Sequence, residues 1–196
     1  MLLGLTGNIA SGKSTVASIF KKNGMPNVNA DSISREIVKP GEKAWELIFE
    51  YFGQDILLPD KNIDRKKLGD IIFRNSTKRK KLEEITHPFI IERTMAKAKI
   101  LEENFKYVLV EVPLLFETKM ESFFDLIVLV YADKQTQVER LMLREGLSEK
   151  EALFRINSQI DVEVKKERAD VIINNNQSLE KTEEQVLRLI KDLKNK

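Results

Sequence analysis

The chain opens on an unbroken apolar or small run, Met1-Leu2-Leu3-Gly4-Leu5-Thr6, the pattern of a strand buried on both faces. Tyr107 to Val112 and Leu126 to Tyr131 read the same way, and Val171-Ile172-Ile173 makes a shorter strand. Met25 to Ala30 is a brief extended segment around Val28 that ends at Asp31. Between these runs the period lengthens to that of a helix. Val16, Ala17, Ile19 and Phe20 mark one helix over Thr15 to Lys22, and Leu179, Val186, Leu189, Ile190 and Leu193 mark a terminal one that Ser178 can cap. Asp133 is placed to cap a helix running to about Glu145. After a turn at Gly146, Ser148 and Glu151 form a capping box that opens the next helix. From Ser32 to about Glu103 helical patterns dominate, interrupted by Pro40-Gly41 and by Leu58-Pro59-Asp60-Lys61-Asn62, with a helix break expected at His87-Pro88. Buried strands alternating with helices predict an α/β fold with a parallel sheet and right-handed crossovers, the long helical stretch being an insertion beside it.

One segment carries a specific chemical signal. Gly7-Asn8-Ile9-Ala10-Ser11-Gly12-Lys13-Ser14 fits the phosphate-loop pattern G-x-x-x-x-G-K-[ST], and it sits between the first strand and the first helix, where such a loop belongs. A triphosphate is surrounded by inward-pointing backbone N–H groups only where glycines allow positive φ and close approach. Gly7 and Gly12 supply that freedom, and the helix N-terminus adds a favourable dipole. In this pattern Lys13 reaches the β- and γ-phosphates and the Ser14 hydroxyl is a ligand of Mg²⁺. The bland alternative is a glycine-rich turn with an exposed lysine.

Composition narrows the reading. At 196 residues the chain fits one domain with inserted sub-regions, enough to bury roughly 70% of its unfolded surface. Without cysteine there are no disulfides, thiolate metal sites or cysteine nucleophiles, which agrees with a cytoplasmic location. The immediate entry into a strand and phosphate loop argues against a secretory signal, and no apolar run approaches the length of a membrane span. The 33 basic and 31 acidic residues leave a net charge of only +2, which argues against general nucleic-acid binding. The basic clusters at 65–67 and 78–81 read by default as solvated helix faces. His87 is the single histidine, so zinc chemistry lacks its usual ligands.

Phosphoryl transfer needs a phosphate cradle, Mg²⁺, mobile cations and a group that orients the acceptor. Asp31, at the end of the second strand, can accept the proton of an acceptor hydroxyl or can merely cap the helix that follows. Arg140 and Arg144 share a helix face, as do Arg155 and Gln159 in the next helix; the pair of helices reads either as a lid or as an exposed hairpin with surface ion pairs. Glu111 ends a buried strand, where a carboxylate suits a Mg²⁺ or water-positioning role or simply caps a turn.

Taken in order, Leu5-Thr6-Gly7 through Ser14-Thr15, Ala30-Asp31 with Arg35 and Pro40-Gly41, His87-Pro88, Pro113-Leu114-Leu115-Phe116-Glu117, Arg140 with Arg144, Arg155-Ile156 with Gln159, and Ala169-Asp170 leading to Asn174 resemble the dephospho-coenzyme A kinases over nearly the whole chain. The resemblance implies a P-loop kinase-like parallel sheet flanked by helices, with a helical substrate-binding insertion at about 32–103 and a helical lid at about 133–159. The core would comprise about 1–31, 104–132 and 160–196. It implies ATP- and Mg²⁺-dependent phosphorylation of the ribose 3′-hydroxyl of dephospho-coenzyme A, giving coenzyme A and ADP in the final step of coenzyme A synthesis. Asp31, Lys13 and Arg140 would be catalytic. Asn8, Ile9, Ala10, Ser11, Gly12, Lys13, Ser14, Thr15, Arg144 and Asn174 would bind the nucleotide, with Ser14 as the metal ligand, and Asp31, Arg35, His87, Pro113 and Leu114 would hold the acceptor. The expected partner is this small-molecule substrate, with neither nucleic acid nor membrane. Two positions depart from the family pattern: Asn29 stands where a second aspartate is frequent, and Glu145 where aspartate is common. Competing readings are another small-molecule kinase of the same architecture and a nucleotide-operated switch, although an Asn-Lys-x-Asp guanine-reading motif is absent.

Overall fold

The structure is a computed structural model that describes residues 1–195, and it divides into two compact units. The first comprises Met1–Asn29 and the chain from Lys97 onward; the second is Ala30–Ala96.

In the first unit, Leu2–Thr6 (β1), Asn27–Asn29 (β2), Val108–Glu111 (β3), Leu126–Tyr131 (β4) and Val171–Asn174 (β5) form a parallel sheet in the order β2-β3-β1-β4-β5. β1 is central, with Leu3 opposite Leu109 on one side and Leu126 on the other. Every residue of β1 and β3 is buried, as their continuous apolar runs require of a sheet covered on both faces. Gly4 interrupts the β1 run for a steric reason: a Cβ there would lie 2.8 Å from side-chain atoms of both Leu115 and Phe124. On one face, Lys13–Lys22 (α1) and Leu179–Lys194 (α9) bury Val16, Phe20, Val186 and Ile190 against Leu3, Leu5 and Val128. Burial of Phe20 alone stabilises by about 1.5–3 kcal/mol.

The predicted caps are in place. Asp133 accepts from the Thr136 N–H at 2.8 Å at the start of Lys134–Glu145 (α6), and Ser148 and Glu151 close the capping box of Glu149–Ile156 (α7). Between these helices Gly146 takes φ 67°, the left-handed region that suits glycine. The two helices bury Val138, Leu141, Ala152 and Ile156 against one another. Val162–Arg168 (α8) follows.

The second unit is helical, as its sequence pattern predicts: Ala30–Glu36 (α2), Lys43–Phe52 (α3), Arg65–Arg74 (α4) and the larger part of Ser76–Glu102 (α5). Its core gathers Ile48, Ile56, Ile63, Leu68 and Ile85. The Arg93 guanidinium grips both Glu42 oxygens at 3.0 and 2.7 Å just before α3, and this hydrogen-bonded contact holds the Glu42 carboxyl below its usual range. Residues 65–67 and 78–80 are exposed, in keeping with solvated helix faces.

One expectation fails here. His87-Pro88 does not break the helix, because α5 runs without interruption from Ser76 to Glu102. Proline removes one N–H and crowds the carbonyl four residues back, a local penalty. Packing on both sides of Pro88 outweighs it, with Ile85 and Ala98 both buried.

Candidate active site

Because all strands are parallel, β1 and β2 end at the same edge of the sheet, where open α/β folds receive ligands. The phosphate loop leaves β1 at that edge. Gly7 and Gly12 have φ 155° and 89°, Ala10 is held left-handed at 62°, and the Ser11 N–H closes the loop onto Asn8 O at 3.1 Å. Space is as demanding as torsion. A Cβ on Gly7 would come within 2.6 Å of Val130 O and Ser11 Oγ, and one on Gly12 within 2.0 Å of Asn175 Nδ2. Lys13 folds back along the loop and its Nζ donates to Gly7 O at 2.9 Å. α1 begins at Lys13, so its positive end faces the loop.

The loop is clasped from several directions. Asn175, buried in the turn after β5, donates from Nδ2 to Ser11 O at 2.8 Å and accepts from Thr182 on α9 at the same distance. Arg140 of α6 donates from Nη2 to Asn175 O at 2.7 Å, and its Nη1 would lie 3.8 Å from a Cβ on Gly12. A cation of the α6–α7 pair is therefore at the loop. On the other side Asn8 Nδ2 donates to Ile160 O at 3.0 Å, and Gln159 Oε1 accepts from the Ile9 N–H at 2.8 Å. The N–H groups of Ile9 and Ser11 are thus engaged within the protein.

The other sequence-predicted residues divide clearly. Thr6 Oγ1 donates to Pro113 O at 3.3 Å, which brings the Pro113 backbone beside the end of β1, whereas Leu114 is exposed. Ser14 is exposed on the first turn of α1 with Thr15 half-buried behind it. Arg144 pairs with Glu145 at 2.6 Å; Arg155 donates to the other oxygen of that carboxylate, and the two arginines hold Glu145 below its usual range. Gln159 lies beyond the end of α7, so it does not share a helix face with Arg155. Asn174 turns its side chain to the Asn176 N–H, and its neighbour Asn175 makes the loop contact. Glu111 is buried and accepts from Asn27 Nδ2 across the β2–β3 pair.

In the second unit, Asp31 follows the last residue of β2 by two positions. It is exposed, and it lies inside the first turn of α2 rather than at its cap. Its backbone carbonyl accepts from Ser34 Oγ at 2.8 Å. Arg35 is exposed on the same helix, and His87 is half-buried on α5. Next to His87 in the chain, Pro88 and Phe89 line a cavity of about 650 Å³ with Leu47, Tyr51, Lys81 and Ile85.

No cluster of three or more His, Cys, Asp or Glu side chains that could hold a metal occurs among the described residues. No helix among the described residues is long and apolar enough to cross a membrane.

Comparison with known proteins agrees with this geometry. The family model for dephospho-CoA kinase matches residues 1–181. The dephospho-CoA kinase of Listeria monocytogenes is 46% identical over 189 residues, covering 96% of this chain and 94% of the relative. A solved dephospho-CoA kinase from Campylobacter jejuni superposes with a TM-score of 0.77 at 34% identity, covering 98% of this chain and 96% of that one. Shikimate kinase from Acinetobacter baumannii, at 16% identity and TM-score 0.53 over 100% of this chain and 94% of its own, shares the fold.

Proposed function

From the premise that this chain belongs to the dephospho-CoA kinase family, we propose that its phosphate loop and Asp31 carry the transfer of the ATP γ-phosphoryl group to the ribose 3′-hydroxyl of dephospho-coenzyme A. The chain is an ATP-dependent kinase of dephospho-coenzyme A, catalysing the last step of coenzyme A synthesis. The observation that most supports the residue assignment is the loop itself, with Lys13, Arg140 and the N-terminus of α1 converging on it.

Each residue has a task that its position allows. Lys13 exchanges Gly7 O for the β- and γ-phosphates, where a preorganised cation acts most strongly as charge builds on the transferring group. Ser14 would hold Mg²⁺, which would neutralise negative charge on the phosphates. Asp31 orients the acceptor hydroxyl and takes its proton. Arg35 and His87 are assigned to the acceptor, Arg144 and Asn174 to the nucleotide. Residues 133–159 form a lid, and Arg140, rooted on Asn175 beside the loop, is the lid cation that meets the equatorial phosphoryl oxygens. The cysteine-free composition favours a cytoplasmic location.

Arg140→Ala is expected to lower turnover by roughly 10²-fold or more while binding of dephospho-coenzyme A stays near that of the parent. Steady-state kinetics with acceptor binding measured separately checks this. A parent-like turnover would reduce Arg140 to a strut for Asn175. The substrate itself is tested by competition: the protein receives Mg-ATP and an equimolar mixture of dephospho-coenzyme A, gluconate and a nucleoside monophosphate, and products are followed by mass spectrometry. Dephospho-coenzyme A is consumed first on this reading; faster phosphorylation of either competitor overturns it.

A further inference from the structure

Behind the phosphate loop the first unit buries a charge that the reaction does not use. Lys165 on α8 is completely inaccessible, and its Nζ lies 2.7 Å from Oε1 of the largely buried Glu117. Burial pulls the Lys165 pKa down, against the opposing pull of Glu117. An ion pair taken out of water seldom stabilises a fold more than well-packed apolar side chains of the same volume would, so its presence needs a reason other than stability.

The hydrogen bonds around the pair supply one. Glu117 Oε1 also accepts from the Ile160 N–H at 3.1 Å. The carbonyl of the same residue accepts from Asn8 Nδ2, and the preceding residue, Gln159, accepts from the Ile9 N–H. Ile160 therefore has the carboxylate at its N–H and Asn8 at its carbonyl, and Gln159 beside it holds Ile9. Lys165 holds the carboxylate in register, the carboxylate fixes the Ile160 N–H, and Ile160 with Gln159 fixes the loop.

We propose that Glu117 and Lys165 are positioning residues for the phosphate loop: through Gln159 and Ile160 they hold Asn8 and Ile9 so that the loop meets the triphosphate already shaped. Neither touches the nucleotide. The inference rests on the loop being the ATP site.

The test separates this role from a merely structural one. In E117L/K165M both charges and the acceptor for Ile160 are replaced by apolar groups of similar size. Thermal unfolding should stay close to that of the parent, while the KM for ATP rises about 10-fold or more through loss of loop geometry, with less change in kcat. In E117Q the lysine remains to hold the side chain in register and the glutamine oxygen can still accept from Ile160, and the KM for ATP is expected to return to within about 3-fold of the parent. Parent-like KM in E117L/K165M overturns the proposal, as does failure of the glutamine version to restore it. Amide exchange in the unaltered protein without nucleotide decides independently of whether either variant folds. Slow exchange at both Ile9 and Ile160 is expected, and exchange at exposed-loop rates at Ile160 contradicts the latch. The two readings fail separately: normal turnover in Lys13→Ala removes the loop as the ATP site, whereas loss of turnover there with normal KM in E117L/K165M removes only the latch.

Discussion

Asp31→Asn is expected to lower turnover roughly 10²- to 10⁴-fold, because asparagine keeps the size and hydrogen-bonding reach of aspartate but cannot take the proton of the acceptor hydroxyl. The structure makes the substitution a clean probe. Asp31 is exposed and lies in the first turn of α2, not at its cap. Loss of that charge lowers stability by at most about 1 kcal/mol. ATP binding and the unfolding temperature should therefore stay near those of the parent while turnover collapses. Turnover within a few-fold of the parent would remove Asp31 from the chemistry and leave it as a helix-start acid.

The second large effect is expected at Lys13. Lys13→Ala removes a cation whose Nζ donates to Gly7 O, a hydrogen bond of the kind worth about 0.5–1.5 kcal/mol. The transition state loses a preorganised charge at the transferring group, and turnover should fall roughly 10²-fold or more. Steady-state kinetics beside thermal unfolding separates the two consequences. Near-normal turnover with unchanged stability would mean that the loop is only a glycine-rich turn, against its close fit to the pattern.

The parts of this molecule that were legible in its sequence are those decided by neighbours in the chain. The phosphate loop is such a case: its torsions at Gly7 and Gly12 and the helix that begins at Lys13 follow from eight consecutive residues. So are the caps at Asp133, Ser148 and Ser178, each of which needs only a hydroxyl or carboxylate three positions before an N–H. Continuous apolar runs marked β1, β3 and β4 to within a residue at each end. Pro88 shows where a local rule loses, because burial at Ile85 and Ala98 sustains a helix that its own residue would interrupt.

What surrounds the loop was less legible for the same physical reason. Asn175 and Asn174 are indistinguishable by type; which one turns inward depends on the register of β5 against Tyr131 and on Thr182, seven residues on. Gln159 meets Ile9 across 150 positions, and Lys165 finds Glu117 in a segment after β3. A lysine among Glu163, Lys166 and Glu167 reads as a solvated face, yet the helical spacing of Val162 and Lys165 turns it inward. A buried position occupied by lysine at that spacing was the signal available for it.

The position of the new phosphate tests the account most directly. The purified protein is incubated with Mg-ATP and dephospho-coenzyme A, and the product is examined by phosphorus NMR with mass spectrometry. The account predicts one added phosphate per acceptor, appearing as a phosphomonoester on the ribose 3′-oxygen, with ADP formed in equal amount. Phosphate on any other oxygen, or ADP released without a phosphorylated acceptor, would contradict it.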